Sequence, residues 1–290
     1  MDKNMYLSFF AESLENIKKF YNNEQLVLFL GAGVAKDSRL PNWTELINNL
    51  ANDLNKEINN SFDFFVKLAQ QYYIQFGENI YYKKLLDIFD LESKKPNVLI
   101  SELVNLECKY IVTTNWDDLI EKAIVKEGKF YDIIKKDDDF SKLGINTNLF
   151  IKVHGDLLDR NIVFKESDYL NYEDNYPLIS NFLKSLFIRN AFLLIGYSLN
   201  DFNIKQLISW VQNRRSRDLP IYFLEVNKNF DYLEFEYYKQ KGVFILYLKE
   251  YYKNDIKSIS DRVLHFINDI SFNQQTFKMK MILFLLYVRH

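Results

Sequence analysis

Six short apolar runs, each rich in β-branched or aromatic residues, punctuate the chain and predict buried β-strands. They cover residues 26–30, 110–113, 149–153, 192–195, 221–225 and 243–248. Most of them are continuous rather than alternating in polarity, which is typical of strands that are covered on both faces. Stretches with helical spacing lie between the runs, as in residues 43–54 and 119–124. This alternation of strand and helix predicts an α/β fold with a mostly parallel sheet.

The interval of residues 58–105 breaks this rhythm, because it is long, aromatic-rich and helical in pattern. We therefore predict a Rossmann-like, doubly wound, six-stranded sheet with an inserted helical module. Residues 1–57 and 106–270 form the main domain in this interpretation, and residues 58–105 form the insertion. A second irregular stretch, residues 156–190, is expected to contribute to the insertion, and residues 271–290 form a C-terminal extension.

The composition is typical of a soluble globular protein and excludes several other classes. The 290 residues are 48% hydrophobic and 26% charged, and they include only 8 Gly and 4 Pro, which excludes a disordered or fibrous chain. The net charge of −2 gives no electrostatic reason to expect a general nucleic-acid or anionic-membrane binder. The single cysteine, Cys108, excludes an internal disulfide and a cysteine-rich zinc site. The chain has no recognisable secretory signal, so we expect a cytoplasmic protein.

Glycines follow the first predicted strand directly, in the segment Gly31-Ala32-Gly33-Val34. Such glycines allow the backbone to approach a phosphate, and the helix N-terminus that follows favours negative charge. Lys36 occupies the place of the third glycine of the usual dinucleotide fingerprint. The pattern is therefore equally consistent with a tight turn from strand to helix.

Polar residues also follow the next two strands, where a parallel sheet binds its ligands. The second strand ends at Thr113-Thr114-Asn115-Trp116-Asp117. Asn115 and Asp117 are placed either to face a substrate or to cap the helix that follows. The third strand ends at His154, and Gly155 beside it leaves the imidazole uncovered. His154 is accordingly a candidate for acid–base catalysis, with a structural histidine as the alternative.

The fourth and fifth predicted strands end in residues that suit a nucleotide. Gly196 and Ser198 offer a backbone amide and a hydroxyl group to a phosphate, and Asn227 offers a carboxamide to ribose hydroxyl groups. Ordinary turn chemistry explains each of these residues singly. Five successive strand ends with suitable polar groups favour a nucleotide site.

Taken in order, these segments resemble the motifs of the sirtuin family, and especially its bacterial sirtuin-like branch. The matching segments are Gly31-Ala32-Gly33-Val34 with Pro41 and Trp43, Thr113-Thr114-Asn115-Trp116-Asp117, His154-Gly155, Gly196-Tyr197-Ser198 and Glu225-Val226-Asn227. The chain departs from the first motif at Ala35, where the family carries serine, and at Arg39, where it carries glycine. Protein-deacylating sirtuins generally have a four-cysteine zinc module, which one cysteine cannot build. The resemblance therefore implies the zinc-free group that degrades NAD, often as a toxic effector in anti-phage defence.

The resemblance also implies roles for individual residues, with NAD as the substrate and no zinc or other metal. Asn115 orients the nicotinamide ribose and the attacking water, His154 acts as a general base, and Asp117 supports charge or orientation. The pyridinium leaving group needs no protonation, so the paired carboxylates of ordinary glycosidases are not required. The NAD-binding residues implied are Gly31, Ala32, Gly33, Val34, Thr114, Gly196 and Ser198, with Asn227 at the adenosine ribose.

The leading hypothesis is an NAD glycohydrolase that releases nicotinamide and ADP-ribose. The alternatives are an NAD-dependent protein deacylase or ADP-ribosyltransferase, and a non-catalytic module that senses NAD or ADP-ribose. An NAD hydrolase needs control, so we expect a homo-oligomer or activation by a separate sensor or ATPase protein. The contact surface is either the helical insertion or the basic cluster Arg214, Arg215 and Arg217, unless that cluster is a solvated helix end. We expect neither sequence-specific nucleic-acid binding nor membrane association.

Overall fold

One parallel β-sheet organises the chain in the computed structural model, which describes residues 2–144, 147–199, 219–252 and 258–271. The strands are β1 (Leu26–Leu30), β2 (Tyr110–Thr113), β3 (Tyr131–Ile134), β4 (Asn148–Lys152), β5 (Ala191–Ile195), β6 (Ile221–Glu225) and β7 (Val243–Tyr247). Their order in the sheet is β3-β4-β2-β1-β5-β6-β7, and every neighbouring pair is parallel. The predicted Rossmann-like α/β fold is confirmed.

The predicted number of six strands was wrong, because the described residues contain a seventh strand, β3. It pairs with β4 at the edge of the sheet, with Ile133 opposite Phe150. Of its four residues only Ile134 is fully buried, and charged residues flank and interrupt the strand. A half-exposed edge strand does not need a continuous apolar run, so the apolar pattern did not reveal it. The other six strands begin and end within one residue of their predicted bounds.

Helices occupy most of the connections between the strands. The first eight are α1 (Lys3–Asn22), α2 (Trp43–Asp53), α3 (Phe62–Phe89), α4 (Val98–Asn105), α5 (Leu119–Lys126), α6 (Glu166–Leu170), α7 (Tyr172–Asn175) and α8 (Pro177–Arg189). Later helices cover Tyr232–Gln240, Leu248–Tyr251 and residues 259–271. A 3-10 helix, Ala32–Ser38, follows β1 directly. Asn42 and Glu45 form a reciprocal capping box that starts α2 after this segment.

The main hydrophobic core lies against the sheet. Strands β1 and β5 are buried along their whole length, and α1, α4, α5, α8 and residues 259–271 pack around the sheet. The Phe187 ring of α8 stacks on Phe192 of β5, with ring centroids 3.9 Å apart. Tyr6 of α1 holds the far edge of the sheet, because its hydroxyl donates to the carbonyl of Ile245 and accepts from the amide of Tyr247. The core thus fixes the strand ends from which the loops of the site emerge.

A second hydrophobic cluster joins α2 and α3 to the loops beyond the sheet. Trp116, Leu157, Ile162 and Phe164 from those loops belong to the same cluster as the buried faces of the two helices. Helix α3 is interrupted at Gly77, whose φ of +79° is outside the helical region. The division of the chain into a main domain and an insertion stays a prediction.

Two sequence-based expectations lie outside the described residues. They concern the basic cluster Arg214, Arg215 and Arg217, and the C-terminal extension after residue 271. Among the helices that the structure describes, none combines the length and the apolar character needed to cross a bilayer.

Candidate active site

A cavity of about 450 Å³ opens at the carboxyl ends of the strands, beside the point where the strand order reverses. The chain builds β2, β3 and β4 on one side of β1 and then returns to β5 on its other side. Open parallel sheets bind ligands at this switch point, and the volume is in the range of small-molecule sites. Six of the residues predicted from the sequence line the cavity, namely Ala32, Gly33, Thr114, Asn115, Asp117 and His154.

The glycine segment after β1 packs directly on the loop after β5. The amide of Gly33 donates to the carbonyl of Gly196 at 2.8 Å, and the amide of Gly31 donates to the carbonyl of Ile195 at 2.8 Å. A Cβ atom on Gly33 would lie 2.8 Å from the Cα atom of Gly196, and a Cβ on Gly31 would lie 2.7 Å from the Tyr197 ring. Glycine is therefore required for the contact between these two loops, while Gly33 also lines the cavity. Gly31, Val34 and Gly196 lie behind the wall rather than on it.

The Asn115 segment is held by hydrogen bonds to β1 and to the loop after β5. Thr113 donates its hydroxyl to the carbonyl of Leu30 at 2.7 Å and accepts from the amide of Asn115 at 3.0 Å. The Thr114 hydroxyl lies 3.0 Å from the Tyr197 hydroxyl, which also bonds the carbonyl of Leu30. Asn115 is nine-tenths buried and borders the cavity. Its backbone is thus fixed at the end of β2 beside the cavity.

Asp117 has a structural contact as well as a place in the cavity wall. Its Oδ1 accepts a hydrogen bond from the amide of Leu119 at 3.1 Å, at the start of α5. Asp117 thus bonds the first amide of the helix, as the sequence allowed, from the position before the N-cap residue Asp118. Burial raises the pKa of the Asp117 carboxyl above its usual range, although the nearby Lys152 ammonium works against that rise.

His154 lies in an apolar, desolvated part of the wall. It is 7% exposed, and the rings of Tyr169 and Tyr172 meet it edge to face, with centroids 5.6 and 6.0 Å away. Burial lowers the pKa of His154 to about 4. The imidazole is therefore neutral at pH 7 and has a lone pair available to accept a proton. Its backbone is fixed by a 2.9 Å hydrogen bond from the amide of Val163 to the carbonyl of His154.

Aromatic residues that the sequence analysis did not assign to the site close the other side of the cavity. Trp43 is 38% exposed, and its ring meets the ring of Trp116 edge to face at 5.6 Å. Phe89 and Tyr169 complete this wall. Trp43 and Trp116 belonged to recognised motifs, but Phe89 and Tyr169 come from segments with no motif, so only the fold brings them here.

Two further predicted residues, besides Gly31, Val34 and Gly196, are not on the cavity wall. Ser198 and Asn227 are both exposed. The amide of Asn227 donates to Oε1 of Glu225 at 3.0 Å, which is turn chemistry of the kind that the sequence also allowed. Their assignment to the phosphate and to the adenosine ribose stays a prediction.

A buried cluster of charges lies beneath the cavity and was missed from the sequence. The Nζ atom of Lys152, at the end of β4, lies 2.6 Å from Oδ2 of Asp156 and 3.0 Å from Oε1 of Glu121. Lys135 lies 2.9 Å from the same Asp156 oxygen. Burial alone would lower the pKa of Lys152, but the carboxylates of Glu121 and Asp156 outweigh it and raise that pKa. A lysine inside an apolar run, four residues before an aspartate, was the available signal.

No metal site was identified in the part of the chain that the structure describes, where no three His, Cys, Asp or Glu residues form a group able to hold an ion. Cys108 is buried in the main core, away from the cavity wall, and burial raises the pKa of its thiol.

The sequence matches the SIR2-like domain family over residues 109–253. It is 32% identical to defense-associated sirtuin 2 of Bacillus subtilis over 245 residues, which is 81% of this chain and 24% of that protein. It is 29% identical to the NAD(+) hydrolase ThsA of Cytobacillus dafuensis over 223 residues, which is 74% of this chain and 44% of that protein. The chain thus spans about a quarter of the first relative's length and less than half of the second's.

Solved structures show the same fold at low sequence identity. A crystal structure of a Sir2 homologue in complex with NAD superposes with a TM-score of 0.52 and 16% identity, covering 89% of this chain and 95% of that one. This similarity establishes the sirtuin-like fold of the chain.

Proposed function

Because the chain belongs to the SIR2-like domain family, we propose that it is an NAD glycohydrolase, which cleaves NAD into nicotinamide and ADP-ribose. One observation carries the proposal: Asn115 and His154, which follow different strands, line the same cavity at the switch point of the sheet. Relatives of similar sequence are named NAD(+) hydrolases, which supports the same reaction for this chain.

The chemistry of the bond decides what the residues have to do. The bond between ribose and a pyridinium nitrogen breaks without protonation of the leaving group and leaves an oxocarbenium-like sugar. In our proposal the Asn115 carboxamide orients the nicotinamide ribose and a water molecule. Neutral His154 accepts the proton of that water, or of a ribose hydroxyl group, as the new C–O bond forms. Asp117 supports the developing positive charge or the orientation of the sugar.

The rest of NAD is proposed to follow the loops after β1, β5 and β6. The backbone of Ala32 and Gly33 lies beside the cavity. Gly33 packs closely on Gly196, and because neither residue has a side chain, the pyrophosphate in our proposal contacts the backbone directly. Ser198 and Asn227, which are exposed beyond the cavity, would contact the pyrophosphate and the adenosine ribose. No metal is required for these steps.

We further propose that the reaction serves anti-phage defence by depleting NAD in the cytoplasm. The name of the Bacillus subtilis relative refers to defence, and this supports the assignment. Because uncontrolled NAD hydrolysis would deplete the NAD of the cell, the activity has to be regulated. The proposal therefore includes control by self-assembly of the chain or by a separate sensor or ATPase protein.

The test is to incubate the purified chain at micromolar concentration with NAD and to separate the products by chromatography. Wild type, Asn115→Ala and His154→Ala are compared with His265→Ala, which changes an exposed histidine on another helix. We expect nicotinamide and ADP-ribose from wild type and His265→Ala, and at least about a hundredfold less from the two site variants. Equal activity in all four proteins would refute the assigned site.

The other hypotheses give different products in the same assay. Turnover that depends on an acylated peptide or on a protein acceptor would indicate a deacylase or an ADP-ribosyltransferase. NAD that is bound tightly but stays intact would indicate a sensing module.

A further inference from the structure

Lys152 is an unusual residue in this fold, because it is a lysine that is fully buried at the carboxyl end of strand β4. It is 0% exposed, and its neighbours along β4 are the apolar Phe150 and Ile151. A buried ammonium group is costly unless it is paired and hydrogen-bonded. Asp156 and Glu121 supply the pairing at 2.6 and 3.0 Å. The proposed reaction does not use this lysine directly, since Lys152 is not on the cavity wall.

The hydrogen bonds of Lys152 are made to the two segments that form the site. Its Nζ atom donates to the backbone carbonyl of Asp117 at 2.5 Å and lies 3.4 Å from that of Trp116, directly after Asn115. On the other side, Asp156 follows His154 by two residues, so the ion pair ties the lysine to the His154 loop as well. One ammonium group therefore links the chain after Asn115 to the chain after His154.

Other contacts strengthen the same link. The amide of Leu157 donates to the carbonyl of Trp116 at 3.0 Å, and the amide of Val153 donates to the carbonyl of Thr113 at 2.9 Å. Asp156 is itself fixed, because its Oδ1 accepts from the amide of Leu158 at 2.8 Å and its amide donates to Oδ1 of Asn161 at 2.7 Å. Lys152 thus reaches a carboxylate that has a single orientation.

We infer that Lys152 is a positioning residue of the site, which holds the Asn115 segment and the His154 segment in one arrangement across the cavity. This inference rests on the proposed function for its effect on turnover. Its structural part, the ordering of residues 114–119 by the ammonium group, is independent of the reaction.

The test uses three variants of the purified chain. Lys152→Met removes the charge and keeps a long, unbranched side chain, and Lys152→Arg keeps the charge. Lys184→Met is the matched control, because Lys184 is also a buried lysine, paired with Glu173 at 2.7 Å, and does not line the cavity. Amide hydrogen exchange over residues 114–119 and the kinetics of NAD cleavage are measured for each, with the folded fraction from circular dichroism.

We expect exchange at residues 114–119 to be at least about tenfold faster in Lys152→Met and unchanged in Lys184→Met. The value of kcat per folded molecule falls about a hundredfold in Lys152→Met, with KM changed less than about threefold, because the catalytic groups are misplaced rather than removed. Lys152→Arg recovers part of kcat. Unchanged exchange, or a kcat per folded molecule equal to that of wild type, overturns the inference.

Two further outcomes of the experiment also support or overturn the inference. If Lys152→Met does not fold, the triple variant Glu121→Gln, Lys152→Met and Asp156→Asn removes the three charges together and leaves neither of these carboxylates unpaired, while Lys135 keeps Asp159 as a partner. Wild-type exchange and kcat in that folded variant overturn the inference, whereas faster exchange supports it. If the wild-type chain leaves NAD intact, the proposed function fails, and the exchange of residues 114–119 alone decides the role of Lys152.

Discussion

The amide of Gly33 donates a 2.8 Å hydrogen bond to the carbonyl of Gly196, and this bond joins the loop after β1 to the loop after β5. Strands β1 and β5 are neighbours at the switch point of the sheet, so this bond holds their two loops together beside the cavity. Gly196 has a φ of +83°, which favours glycine, whereas Gly33 is required by the close approach of the two backbones.

Gly33→Ala is expected to destabilise the fold by about 1–3 kcal/mol, because the new methyl group meets the backbone of Gly196 rather than a flexible side chain. It should also weaken NAD binding. Gly128→Ala is the control, since only its φ of +64° is unfavourable and no atom lies within 4 Å of the added Cβ. The control should lose about 1 kcal/mol and keep NAD affinity. Urea unfolding and calorimetric titration with NAD measure both effects, and wild-type values for Gly33→Ala would contradict the packing argument.

The kcat/KM for NAD cleavage should fall on the acid side with a midpoint near pH 4 rather than near pH 6.5. His154 acts as a base in its neutral form, and burial lowers its pKa to about 4. Measuring kcat/KM for NAD from about pH 3 to pH 8 gives this value for the free enzyme. An acid limb centred near pH 6.5 would show that the base is a solvated histidine or another group.

The same burial makes the stability of the fold depend on pH. The pKa of His154 is lower in the folded chain than in the unfolded chain, so the unfolded chain takes up the proton first as the pH falls. Above about pH 6.5 His154 is neutral in both the folded and the unfolded chain and does not change the free energy of unfolding. Between about pH 6.5 and pH 4 only the unfolded chain binds the proton, so the folded state loses stability. Urea unfolding at pH 7 and pH 4.5 should show about 2–3 kcal/mol more loss for wild type than for His154→Gln. Equal losses in the two proteins would mean that His154 is solvated.

Tyr6→Phe is expected to destabilise the fold by about 1–3 kcal/mol, because it leaves the buried amide of Tyr247 and the carbonyl of Ile245 without the Tyr6 hydroxyl. Tyr232→Phe removes a hydroxyl from a residue that is 44% exposed and should change stability by less than about 0.5 kcal/mol. Urea unfolding of both variants distinguishes a buried bridge from a general effect of losing a hydroxyl group.

Treatment with a strong chelator should leave both the melting temperature and NAD cleavage unchanged. The single cysteine is buried, and the described residues contain no group suited to hold a metal ion. Differential scanning calorimetry with and without chelator measures this. A lower melting temperature that zinc restores would contradict the prediction.

Strands buried on both faces were predictable, because their continuous apolar runs reflect the local environment of each residue. The strand β1 is an example, with all five residues buried and bounds that match the pattern. The edge strand β3 was not predictable in this way, since its stability comes from pairing with β4 and from the cover of its neighbours. The location of Asn115 and His154 on one cavity was predictable, because each comes within two residues of the end of such a run, and parallel strands bring their carboxyl ends to one edge.

The parts of the site that depend on contacts between distant segments could not be predicted. Tyr169 reaches His154 only because α6 packs beside α3, where the amide of Ser167 donates to Oε1 of Gln70 at 3.1 Å. Glu121 and Lys152 are 31 residues apart, and nothing in their local sequence indicates that they form an ion pair. Such contacts follow from the topology of the sheet rather than from periodicity.

The ammonium groups of Lys152 and Lys135 together balance the carboxylates of Glu121 and Asp156. For the three positions 121, 152 and 156 this has an evolutionary consequence. Losing any one of them alone strands the opposite charge in an apolar interior, whereas replacing all of them by well-packed apolar side chains is often tolerated. Natural selection should therefore accept substitutions here as a set. In an alignment of homologues, the three positions should covary, with either the complete trio of ionic side chains or none of it.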